Sequence, residues 1–181
     1  MVPRLSPRGF EKVPCPAEAW RLIEAAYRAL LPTMAPENFA GKDVYIPGTD
    51  TSDLICLDQD PGAIRAILRE LHQSAQQFAG RDLTPLGIYG IRSYKTGATL
   101  MPHTDRVDTH HVGIMIVVDK DLQGAPDWPL EIQDHDGQWH QVCAAPGEMI
   151  IYESATCQHA RLQHLQGAWY RNLFAHYTIS D

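Results

Sequence analysis

The chemical question is set by three residues. His103 and Asp105 stand two apart in "MPHTDRVD", and His159 follows well downstream in "TCQHARLQ". In an extended chain, residues i and i+2 point to the same side, so this imidazole and carboxylate would converge on one point. Two imidazoles and one carboxylate on one face of a metal leave further positions open, which is the facial arrangement of non-haem Fe(II) oxygenases. Each residue also has a plainer role when taken alone. His103 could be a turn residue after Pro102, Asp105 an Asx-turn, and His159 a strand histidine satisfied in place. The joint order of the three favours the metal.

Two kinds of element must position them. "PAEAWRLIEAAYRALL" (16–31) places Trp20, Ile23, Ala26, Tyr27 and Leu30 on one stripe, with proline at the front, which predicts a helix. "DPGAIRAILRELHQSAQQFAG" (60–80) repeats the pattern and stops at Gly80. Between them, the turn-rich "VYIPGTDTSDLICLDQ" is a candidate lid. From residue 86 the pattern changes to short β-prone runs such as "HHVGIMIVVDK", with "HDG" and "PGE" as turns. Seven or eight short strands predict a sandwich or barrel with helices packed on one outer face. The expected organisation is a single domain over 1–181. Residues 1–82 supply helical support and the lid, and 83–181 the β core.

Composition narrows the function class. The chain has 181 residues, 44% of them hydrophobic and 20% charged, with a formal net charge of -7. That is the make-up of an ordinary globular protein. Lysines and arginines are scattered, so nucleic acid is not an expected partner. No apolar run reaches the ~18 residues of a membrane span, and the N-terminal stretch has no apolar signal-like region. Cys15, Cys56, Cys143 and Cys157 form no CxxC and no regular framework, which fits free thiols in a reducing cytoplasm.

With these residues in view, the chain resembles the Fe(II)/2-oxoglutarate-dependent dioxygenases, most closely their prolyl-4-hydroxylase-like branch. The resemblance rests on Tyr94 nine residues before His103 (Y-x8-H-x-D), on "PGEMIIYES", and on His159 followed by Gly167 (H-x7-G), and it spans about residues 86–178. It implies a mostly β fold with N-terminal helices, built on a double-stranded β-helix (a jelly-roll, cupin-like barrel). It also implies Fe(II) held by His103, Asp105 and His159, with 2-oxoglutarate and O2 as co-substrates. A carboxylate at 105 implies hydroxylation rather than halogenation. The family anchors the distal carboxylate of 2-oxoglutarate with a lysine or arginine on the strand after the distal histidine, where this chain has Trp169. Arg161 with Tyr94 is the first candidate for that anchor and Arg171 the alternative, because a guanidinium fork matches a carboxylate.

Arg92, Arg106, His111 and Trp128 are the candidates for substrate contact. His110 shares the strand start with His111, and either could face inward. His135 and His140 flank a hairpin turn and read as solvated, and His176 reads as a packing residue. The expected activity is hydroxylation of an unactivated C–H bond of a small molecule, such as an amino acid or a natural-product intermediate. Peptidyl prolyl-type hydroxylation is the nearest alternative. Two readings lie further off. One is a cupin-type enzyme, whose tighter multi-histidine motif "HTD" does not match. The other is a non-catalytic jelly-roll binding module in which the triad is accidental.

Overall fold

The structure, a computed structural model, describes residues 2–38, 45–48 and 51–180. Both expected helices form. Helix α1 (Ala17–Leu30) buries Ala19, Ile23 and Ala26, and helix α2 (Pro61–Ala79) buries Ile67, Leu68, Leu71, Ala75 and Phe78. The Asp60 side chain accepts the Ala63 N–H at 2.9 Å at the front of α2, and Gly80 ends it at φ 62°. A left-handed residue at that position closes the last turn at no steric cost to glycine.

The strands are β1 (Phe10–Pro14), β2 (Ala35–Pro36), β3 (Ser52–Ile55), β4 (Leu83–Lys95), β5 (Leu100–His103), β6 (Val112–Asp121), β7 (Leu130–Gln133), β8 (Trp139–Val142), β9 (Glu148–Tyr152), β10 (His159–Arg161) and β11 (Trp169–Ile179). They form two antiparallel sheets. The larger runs β1-β9-β6-β11-β4-β3-β2 and the smaller β5-β10-β7-β8. The first 82 residues are therefore not purely helical support, since β1, β2 and β3 join the larger sheet. Strand β1 has one buried apolar residue, Phe10, amid charges and a proline, so it lacks the alternation that marks a strand. Its partner supplies what its sequence does not: it pairs along β9 from Phe10↔Tyr152 to Pro14↔Glu148 and covers that edge.

Three layers result. Helices α1 and α2 pack on one face of the larger sheet, against Ile88, Ile91, Ile114, Ile116, Leu173, Ala175 and Tyr177. The smaller sheet packs near the other face, around Tyr94, Met115, Val117, Trp128, Leu130, Ile132 and Tyr170. Strand β6 lies between helices and sheet, which explains why Val112–Val118 is buried throughout instead of alternating. On β11, Leu173, Ala175 and Tyr177 face the helices, while Tyr170 joins the core between the sheets and Phe174 packs against it. Gly90 (φ 132°) lies where the β4–β11 register slips at Phe174/Ala175, and a Cβ there would come 2.8 Å from the Ile55 carbonyl. No helix among the described residues is long and apolar enough to cross a membrane.

Candidate metal centre

His103 ends β5 and His159 begins β10, and the two are direct cross-strand partners with ring centroids 4.2 Å apart. Asp105 lies beyond the end of β5, so strand alternation does not place it. Its backbone N–H donates to the Ser154 carbonyl at 2.7 Å, which turns the chain back toward the two histidines. Asp105 Oδ1 is 3.9 Å from Nε2 of each histidine, and one ligand atom from each of the three residues lies within 4.8 Å of the others.

The hydrogen bonds around the rings suit a metal. His103 Nδ1 lies 2.8 Å from the Met101 carbonyl and His159 Nδ1 3.2 Å from the Cys157 carbonyl. A carbonyl only accepts, so each Nδ1 carries the proton and each Nε2 lone pair faces the centre. Burial lowers both histidines, His159 to about 4, with Asp105 opposing in each case. The rings are thus neutral near pH 7, the form that binds metal. Burial by itself would raise the Asp105 carboxyl. Contact with His176, and the charges of His159, His176 and His103, instead hold it well below the carboxylate range. Asp105 Oδ2 is buried without a hydrogen-bond partner, although His176 Nε2 lies 3.4 Å away and out of line for one. A buried, unpartnered carboxylate oxygen is costly unless a cation takes it.

The centre opens into a cavity of about 570 Å³, whose lining includes Tyr94, His103, Asp105, Arg106, His159 and Arg161. Arg161 is 1% exposed and lies at its inner end. The guanidinium packs on Trp128 (4.3 Å) and Tyr170 (4.5 Å), and its N–H groups reach the Trp128 carbonyl and Met115 Sδ. No carboxylate pairs with it among the described residues. Tyr94 is fully buried beside it, its ring edge-on to Trp128 at 5.0 Å.

Several expected residues lie elsewhere. Arg171 is on the opposite face of the larger sheet, where it pairs with Asp119 (3.0 Å) and donates to Ser93 (3.1 Å) and to the Tyr27 hydroxyl. It cannot serve the cavity, because odd-numbered positions at that end of β11 face α1. Trp169 shares that face, with its Nε1 3.1 Å from Asp119 Oδ2, and the inward residue is its neighbour Tyr170. His111 is held by β11, through Thr178 Oγ1 at 2.9 Å and the Ile179 N–H at 3.1 Å, and does not line the cavity; His110 does. Trp128 backs Arg161 and does not reach the cavity surface. Arg92 lines the cavity, but its fork is filled by Glu37 at 2.7 Å through both Nε and Nη2, and Tyr89, Tyr94 and Phe174 surround the guanidinium.

Other histidines also differ from expectation. His176 lines the cavity beside Asp105 and is not merely packing, and its ring lies 4.4 Å from that of His110. Alternation along β11 gives its face but not its neighbour. His135 is not solvated, since its Nε2 lies 3.0 Å from the buried Glu153. Its ring borders Cys157 and Gly9, and a Cβ at Gly9 (φ 90°) would sit 2.4 Å from the Cys157 sulfur. In the candidate lid, Tyr45 stacks on His103 at 4.0 Å and accepts the Met101 N–H at 2.7 Å, and Ile46 lines the cavity. Val44, Thr49 and Asp50 of that segment lie outside the described residues.

No protein-family model and no curated protein sequence matches the chain. Solved structures do match it. A Pseudomonas putida prolyl-4-hydroxylase is 18% identical, with 97% of this chain and 95% of that one covered and a TM-score of 0.65. A Trichoplax adhaerens prolyl hydroxylase, in complex with a hypoxia inducible factor peptide fragment, is 12% identical over 94% and 84%, with a TM-score of 0.66. SnoN, a non-heme alpha ketoglutarate dependent epimerase from nogalamycin biosynthesis, is 14% identical over 95% and 78%, also at 0.66. The chain has the fold of the prolyl-4-hydroxylase-like 2-oxoglutarate/Fe(II) oxygenases.

Proposed function

We propose that this chain is an Fe(II)- and 2-oxoglutarate-dependent oxygenase that hydroxylates an unactivated C–H bond of a small molecule. The observation that carries the reading is the convergence of His103, Asp105 and His159 at one end of the cavity, with tautomers and charges suited to a divalent metal. In this reading the two sheets form a double-stranded β-helix, residues 83–181 are its catalytic core, and residues 1–82 support it. The ligand set is that of non-haem Fe(II) sites with open positions.

Iron held there would supply the oxidising chemistry. O2 would give one oxygen atom to the substrate and one to the succinate formed, with CO2 released, as 2-oxoglutarate is oxidised. The protein supplies position and charge. Arg161 would take the distal carboxylate of 2-oxoglutarate. Its buried charge has no anionic partner among the described residues, and a fork fixed between Trp128 and Tyr170 loses little freedom on pairing. Tyr94 would flank the same carboxylate. The cavity volume falls within the range of small-ligand sites. Prolyl-type peptidyl hydroxylation is the second reading, favoured by likeness to two prolyl hydroxylases. A non-catalytic module would leave both the Asp105 oxygen and the Arg161 charge without a purpose.

The test is anaerobic titration of the Fe(II) protein with 2-oxoglutarate. A weak visible band near ~500 nm is expected, from chelation at the positions the triad leaves open. Arg161→Met should weaken 2-oxoglutarate binding and leave metal affinity unchanged, whereas His103→Ala should lose the metal. Absence of the band in the wild type would overturn the reading.

A further inference from the structure

The charges lining the cavity run against those of the chain. The whole sequence has 15 Lys and Arg against 22 Asp and Glu. The described cavity lining has Arg92, Arg106 and Arg161, and its only carboxylate is Asp105, which belongs to the metal centre. Two of the three cations already have a role: Glu37 fills the fork of Arg92, and Arg161 lies at the inner end. Arg106 remains. It is exposed, and its guanidinium has no hydrogen bond or ion pair among the described residues.

Arg106 is nevertheless well placed. Its carbonyl accepts the N–H groups of Thr109 (3.2 Å) and His110 (2.8 Å), which closes the turn after Asp105. Ser154 holds both ends of that turn, accepting from the Asp105 N–H at 2.7 Å and donating its hydroxyl to the His110 carbonyl at 2.8 Å. Asp108, on the same turn, is exposed and does not line the cavity. The lining also has the imidazoles of His110 and His176 beside the turn, and the rings of Tyr89 and Phe174 around the Arg92 guanidinium. Among the described residues that line the cavity, an entering ammonium group would meet no carboxylate other than Asp105 of the metal centre. At the rim of the cavity a carboxylate would meet an unpaired guanidinium, whose fork can take it through two parallel hydrogen bonds.

We propose that the substrate is a small carboxylic acid whose carboxylate is bound by Arg106 and whose apolar body lies on Phe174 and Tyr89. This rests on the oxygenase reading and deepens it. The inner cation would take the co-substrate's carboxylate and the outer one the substrate's, so two acids would lie at opposite ends of one cavity.

The test uses matched triplets of aryl- and alkyl-propionates, their amides and the corresponding amines. Each is added to the anaerobic Fe(II) protein after the 2-oxoglutarate band has formed. Some of the acids should shift the band, and their amides and amines should not. In Arg106→Ala the 2-oxoglutarate band should persist while affinity for those acids falls at least ten-fold. Because Arg106 is exposed, its removal leaves the core intact, and the persisting band verifies this in the same sample. The proposal is overturned if no acid shifts the band, if amides or amines bind as well as acids, or if the variant binds acids like the wild type. Acids that abolish the band equally in both proteins are displacing 2-oxoglutarate, and that result also overturns it. Failure of the band itself would count against the oxygenase reading.

Discussion

The two oxygens of Asp105 have different neighbours. Oδ1 is equidistant from the two ligand imidazoles, while Oδ2 faces His176. In the proposed metal centre His176 would act as a neighbour that limits how the Asp105 carboxylate turns, the kind of support whose loss lowers metal affinity about 10–100-fold. His176→Ala should show that loss in an anaerobic Co(II) titration, with the far-UV spectrum unchanged; an unaltered affinity would remove His176 from the centre. Sequence spacing disclosed the triad because ligand type and order survive without coordinates. It did not disclose His176, because facing inward on β11 is common to packing residues and site residues alike. Trp169 misled for a related reason. Counting residues from His159 gives its position in the sequence but not its face, and β11 turns Tyr170, not Trp169, toward the core between the sheets.

At the scale of elements, two polar clusters join the N-terminal half to the larger sheet, one through Glu37 on Arg92 and one through the Tyr27 hydroxyl on the Arg171–Asp119 pair, and they should respond differently to mutation. Glu37 has a fully buried side chain that accepts from Arg92, Tyr89 and Ser52. Burial would raise its carboxyl, but Arg92 and the two hydroxyls pull it below the ordinary value. A carboxyl lowered in the folded state stabilises fully above its unfolded value of about 4.3 and progressively less as pH falls below it. Glu37→Ala, which leaves Arg92 unpaired, should cost about 3 kcal/mol in urea unfolding at pH 7. The gap between wild type and variant should narrow as pH drops from 5 towards 3. Arg171 joins Asp119 and Tyr27, so Arg171→Met should loosen α1 and lower the urea midpoint while leaving 2-oxoglutarate affinity unchanged. A loss of that affinity would return Arg171 to the cavity. The helices themselves were readable from their apolar spacing and end signals. Strands β1 to β3 were not, because each is short and formed by its partner rather than by its own pattern.

At the scale of the molecule, the centre joins the two sheets: His103 and His159 stand on the smaller sheet, and Asp105 is tied to the loop after β9 of the larger. A ligand that joins these pieces and binds only the folded chain stabilises it by about 2.7 kcal/mol at a hundredfold excess over its Kd. For a chain of this length that corresponds to roughly 5–11 °C in Tm. Wild type should show such a shift with Co(II) in anaerobic thermal melts, and His103→Ala should not. The fold class was legible because the β core and the helices differ in apolar period. The layering was only half legible, since a strand covered on both faces, such as β6, reads as apolar without saying what covers it. The far end of the chain also bears on this centre. Strand β1 runs along β9, Ser6 donates both its N–H and its hydroxyl to Glu153, and Gly9 leaves only enough room for the sulfur of Cys157, whose carbonyl steadies His159. For anyone handling this protein, the opening residues are therefore no neutral place for a purification handle or a protease scar. An alteration there acts, at one remove, on a proposed iron ligand some 150 positions away in the sequence.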